Sequence, residues 1–76
     1  DIKSLQIDKQ SAISTAYYQE QIYKKNQQLY KKRAISQLDF QKYTTNNEVA
    51  KLKVKSIDSK IVSLDSQKEQ LKANLN

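Results

Sequence analysis

Apolar residues recur at helical spacing along almost the entire chain, but in two registers that do not join. The first runs from about Ile2 to Arg33 through Ile2, Leu5, Lys9, Ala12, Ala16, Gln19, Tyr23, Asn26, Tyr30 and Arg33, of which six in ten are apolar or aromatic. The second runs through Phe40, Tyr43, Asn47, Ala50, Val54, Ile57, Ile61, Leu64, Lys68, Leu71 and Leu75, with nine of eleven apolar or aromatic. Both alternate steps of three and four residues, as a helix does when it buries one seam against a partner. The registers collide between Tyr30 and Phe40, which stand ten residues apart, one heptad plus three. A continuous rod absorbs such a slip only by overwinding locally, whereas a reversal of direction absorbs it freely.

The segment Ser36-Gln-Leu-Asp39 supplies a signal for restarting a helix. Serine can cap the new helix, and an acid three residues later can return the bond or favour the helix dipole. The pattern therefore predicts an all-α fold, a long antiparallel two-helix coiled-coil hairpin occupying 1–76. Its first helix spans about 2–33, its tip about 34–36 and its second helix about 37–75. The helices would be on the order of 50 and 60 Å long, and so short a connection makes them antiparallel. The alternatives are a continuous helix paired with another chain, which the phase slip disfavours, and a three-helix bundle. The bundle needs a second break, and the polar stretch Tyr43-Thr-Thr-Asn-Asn47 carries no cap followed by a new phase.

Composition narrows the picture further. The 76 residues include no Gly, Pro, Cys, Met, Trp or His, so turns are scarce and the chain should be nearly all helix. Lacking an initiator Met and ending in helical pattern, it is expected to be a piece of a longer protein. Without imidazole or thiolate it has no common base, nucleophile or soft metal ligand. No catalysis, cofactor or metal is expected. No apolar run approaches the roughly 20 residues of a membrane span, and no signal-peptide core is present; the segment is expected to be soluble, without direct membrane insertion. A hairpin of this size has one seam in which to bury apolar surface, so marginal stability alone is expected.

Charge is concentrated where the registers collide. From Gln21 to Leu38 there is no acid, while Lys24, Lys25, Lys31, Lys32 and Arg33 all fall in that window. These cations are either solvated surface charges, some complementing a helix C-terminus, or a knob that steers the tip to an acidic partner. A nucleic-acid partner is not expected, because Tyr23 and Tyr30 lie on the inner frame and do not alternate with the cations on one face. Membrane-surface binding would need a broad apolar face that the hairpin seam already uses. Leu29, off the seam beside Tyr30, is either flank packing or a contact for another coiled coil. Ser36 is an N-cap first, and a partner contact as well only if its proton or one lone pair stays free.

At these residues the chain resembles a known family. Lys25, Leu29 and Ser36 are separated by three and then six residues, the spacing of the Arg-Leu-Ser tip motif in the α-hairpins of periplasmic adaptor (membrane fusion) proteins of the HlyD family, which serve bacterial tripartite pumps. The text Leu29-Tyr-Lys-Lys-Arg-Ala-Ile-Ser36-Gln-Leu-Asp39 is similar to the hairpin turn of the macrolide-efflux, MacA-type subfamily. Ser56-Ile-Asp-Ser-Lys-Ile61 and Leu71-Lys-Ala-Asn-Leu-Asn76 resemble its second hairpin helix and the run back to its lipoyl domain. The departure is Lys25 where the family usually has Arg; lysine keeps the charge but loses the planar fork.

The resemblance implies a periplasmic adaptor, anchored to the inner membrane when complete, that self-associates as a hexamer. Its hairpin tips would meet a TolC-type outer-membrane channel, with Lys25, Leu29, Ser36, Lys32 and Arg33 as the contact set, while domains outside this segment engage an inner-membrane transporter, in that subfamily an ABC pump. Such pumps act in efflux, antibiotic resistance or secretion. The competing expectation is a generic structural or interaction coiled coil whose tip has no special role.

Overall fold

The computed structural model describes residues 1–75 and contains two helices, α1 (Ile2–Lys31) and α2 (Gln37–Leu75). They pack side by side in a rod of 64 × 16 × 13 Å, and among the described residues there is no strand. The chain is thus an all-α helical hairpin, and it reverses over residues 32–36. Among the described residues there is neither a continuous helix nor a third helix, and Tyr43 to Asn47 is uninterrupted helix. Within it, Thr44 Oγ1 donates to the Phe40 carbonyl at 3.0 Å, which gives its hydroxyl a partner without leaving the helix.

Three contacts define the antiparallel register. Lys9 Nζ donates to Asp58 Oδ1 at 2.7 Å, Lys51 Nζ lies 3.4 Å from Glu20 Oε1, and the rings of Tyr30 and Phe40 stack at 4.6 Å between centroids. As α1 advances from 9 through 20 to 30, its partners fall from 58 through 51 to 40. Both ion pairs bridge the helices along the edge of the seam, where water screens them and each contributes little. Phe40 also stacks on Tyr23 at 5.7 Å. One phenylalanine is therefore sandwiched between two tyrosines a heptad apart, which locks the last two turns of α1 to the first turn of α2 by large-area aromatic packing.

The seam follows the predicted frame through most of its length. Every frame position from Ile2 to Tyr30 and from Phe40 to Ile61 is buried or half-buried. Among the described residues only Ala12, Asn47, Ala50 and Ile57 are buried, and none of them completely, because two helices cover each other on one side alone. The accessible surface is 6307 Å², against roughly 4,800 Å² for a compact monomer of this mass. Small residues at 12, 16 and 50 set the spacing, since an alanine seam lets two backbones approach closely. Of the polar frame residues, Lys9 bonds across the seam as described, whereas Asn26 Nδ2 turns back to the Ile22 carbonyl of its own helix at 2.8 Å.

The frame fails at its ends. Arg33, expected in the first helix and on the seam, is exposed and lies beyond the end of α1. At the far end α2, with 39 residues, outlasts α1, with 30. Leu64, Lys68 and Leu71 continue the frame but are exposed: Leu64, opposite the first turn of α1, at 36%, and Leu71, beyond the start of α1, at 65%. Of the expectations for the last residues, the Leu75 side chain and Asn76 lie outside the residues described.

Among the described residues Asn47 is the one buried polar side chain, 6% exposed, and its Oδ1 has no hydrogen-bond partner among them. An unsatisfied buried acceptor costs about 1–3 kcal/mol, a large share of what one thin seam supplies. Asn47→Val is expected to stabilise the hairpin by about 1 kcal/mol or more, raising Tm by at least about 4 °C. Thermal melting followed by helical circular dichroism checks this, and a lowered Tm would mean that the amide oxygen is engaged in solution.

Candidate functional site: the hairpin tip

The tip is built by two helix caps placed back to back. α1 ends in a Schellman motif: Arg33 N–H donates to the Tyr30 carbonyl at 2.9 Å and Ala34 N–H to the Leu29 carbonyl at 2.8 Å. This pairing satisfies carbonyls that the helix end would otherwise orphan. The residue that normally permits it is glycine, and this chain has none. Arg33 takes the left-handed position instead, at φ 59°, a conformation that costs a residue with a Cβ roughly 1 kcal/mol or more. The bend thus occupies Lys32 to Ser36, two residues more than the predicted 34–36, because the Schellman turn consumes Lys32 and Arg33.

α2 begins at the predicted cap. Ser36 Oγ accepts from Asp39 N–H at 3.1 Å, and the Ser36 carbonyl accepts the first helical bond from Phe40 N–H at 3.0 Å. Among the described residues the Asp39 carboxylate makes no return bond, so half of a capping box is present, with Asp39 facing the positive end of the dipole in the first turn. Ser36 itself is exposed. Its cap uses one lone pair, and among the described residues its hydroxyl proton is not donated to any side chain or carbonyl, so it is free for a second partner.

Lys25 and Leu29 stand one turn apart on α1, and Lys32 continues the same stripe toward the bend. Lys25, Lys32 and Arg33 are exposed, and Leu29 is half-buried against the seam. The structure therefore brings all five predicted tip residues to one end of the rod, while Leu29 is shared between packing and surface. Among the described residues the ion pairs are Lys9 with Asp58 and Lys51 with Glu20, so none of the five cations from Lys24 to Arg33 is neutralised. Tyr23 and Tyr30 are engaged with Phe40 inside the seam, not displayed beside the lysines.

Two apolar residues of the tip were not singled out from the sequence. Ile35 is half-buried within the bend. Leu38, in the first turn of α2, is 76% exposed. The signal for Leu38 was present in the pattern, since it lies off the second frame yet beside the cation cluster. Among the described residues no three of His, Cys, Asp or Glu come together as metal ligands, and no helix is long and apolar enough to cross a membrane. The tip offers charge, the exposed Ser36 hydroxyl and apolar side chains at Ile35 and Leu38.

The class this geometry defines is a helical hairpin with a cationic tip. Set against protein-family models, curated proteins and solved structures, the chain matches none of them.

The strain at Arg33 is open to measurement. Arg33→Gly is expected to stabilise the hairpin by about 0.5–1 kcal/mol, because glycine enters the left-handed position without a Cβ clash and loses only part of that gain to unfolded-state entropy. A chemical-denaturation midpoint that falls in the variant would show that the guanidinium contributes more to the fold than its backbone strain costs.

Proposed function

We propose that this hairpin is the periplasmic arm of an adaptor in a tripartite efflux or secretion pump, docking by its tip onto the coiled-coil end of a TolC-type outer-membrane channel. Domains outside this segment would link it to an inner-membrane transporter. The observation that carries this reading is the gathering of Lys25, Leu29, Lys32, Arg33 and Ser36 at one extremity of a 64 Å rod, of which Lys25, Leu29 and Ser36 have the spacing of the adaptor tip motif. Four of the five are exposed, and the turn that presents them is held by backbone bonds at both caps, so it is set before any partner arrives. Preorganisation of this kind lowers the ordering cost of docking.

The rest of the rod suits lateral packing against copies of itself. Ile7, Tyr17 and Tyr18 on α1 and Val49 and Val62 on α2 are each about 60% exposed or more. A hairpin with so thin a seam gains stability from a neighbour that covers those residues. Self-association of the hairpins in the complete protein, around a central path for the exported molecule, is part of the same proposal.

Two substitutions separate docking from a generic coiled coil. Leu29→Asp is expected to reduce channel binding by at least about tenfold, because it places a like-signed or unpaired charge at the contact. Ser36→Asp keeps an N-cap while removing the hydroxyl proton and adding a negative charge to the cationic tip, so it too should weaken binding with the melting curve preserved. Binding is measured with the purified periplasmic end of a TolC-type channel. Wild-type affinity in both variants would reject the docking reading and leave a structural coiled coil.

A further inference from the structure

Leu38 has the highest exposure of any large apolar residue among those described, 76%, and nothing in the hairpin explains it. It lies off the seam, and the first turn of a helix favours an acid or a capping residue over leucine. Its direction follows from the antiparallel fold. In every α-helix the Cα–Cβ bonds tilt toward the N-terminus. On α1 that tilt carries side chains away from the tip, and Leu29 leans back toward the body and is half-buried. On α2 the N-terminus is the tip, so Leu38 leans outward past the bend.

The surroundings of Leu38 state what it fits. Lys31 at the end of α1 and Lys32 and Arg33 on the bend precede it, exposed and without an ion pair among the described residues, and a shallow groove behind it is edged by Lys42, Thr45 and Asn46. Asp39 is the single acid nearby. We propose that Leu38 is the apolar anchor of the tip, seating in an apolar notch edged by carboxylates on a partner protein. This rests on the tip-docking reading and adds to it a contact that the Lys25, Leu29 and Ser36 pattern does not contain. A single leucine suits a protein notch better than a bilayer: burying it is worth about 10- to 100-fold in affinity, the scale of one interface anchor. Stable membrane attachment needs a much larger apolar area, and the neighbouring apolar side chains Leu29 and Ile35 are half-buried.

The test uses the full hairpin, the periplasmic end of a TolC-type channel, and vesicles of equimolar phosphatidylcholine and phosphatidylglycerol. Leu38→Gln is expected to lower affinity for the channel at least about tenfold with an unchanged melting curve. Leu52→Gln, which alters a leucine 63% exposed on the same outer face of α2 far from the tip, should change nothing. Rising salt should weaken the wild-type complex, as opposed charges require. If Leu38→Gln binds as the wild type while Leu29→Asp does not, the anchor assignment falls and tip docking stands. If the wild type does not bind the channel, both fall. If the hairpin instead binds the vesicles through Leu38, its occupant is a lipid surface and the protein notch is overturned.

Discussion

This chain has no glycine, and its reversal runs through a residue with a Cβ in left-handed backbone, Arg33. The conformation is held by two bonds to the last turn of α1 and by the Ser36 cap that restarts the chain at once. Each cap satisfies backbone groups that the other helix cannot reach. The turn is therefore a consequence of hydrogen-bond accounting at two helix ends, and the position of every tip side chain follows from it. Lys32 and Arg33 are exposed because they are the turn; Ser36 is exposed because it is the cap.

Once the chain has doubled back, only one face of each helix can be covered. The outcome is a seam whose buried members, among the described residues, are two alanines, one isoleucine and one asparagine. Its strongest packing is local, the Tyr23, Phe40 and Tyr30 stack beside the tip. The end that carries the candidate site is thus the better-packed end, while the far end finishes in a stretch of α2 without a partner helix. The tip is thus backed by stacked rings and closed by two helix caps.

The tip also has a polarity that neither helix has alone. Side chains at the end of α1 lean back along the rod and those at the start of α2 lean beyond it. Leucines at comparable distances from the bend are consequently unequal: Leu29 is drawn into packing and Leu38 is left to solvent. Residues counted along the sequence as flanking the same turn are therefore not interchangeable as contacts.

The sequence by itself determined the hairpin. A phase slip of one heptad plus three, an absence of glycine and proline, and a serine three residues before an acid were enough to place the reversal and the start of α2, because period, propensity and capping are local. They were also enough to collect Lys25, Leu29, Lys32, Arg33 and Ser36 at one end. Only the tertiary structure decided which frame residues are covered. Arg33 left the seam because a Schellman turn needs a left-handed residue and no glycine was available. Leu71 kept the heptad pattern yet stays exposed, since burial depends on a partner helix being opposite, a property of the register between two segments that no single segment encodes.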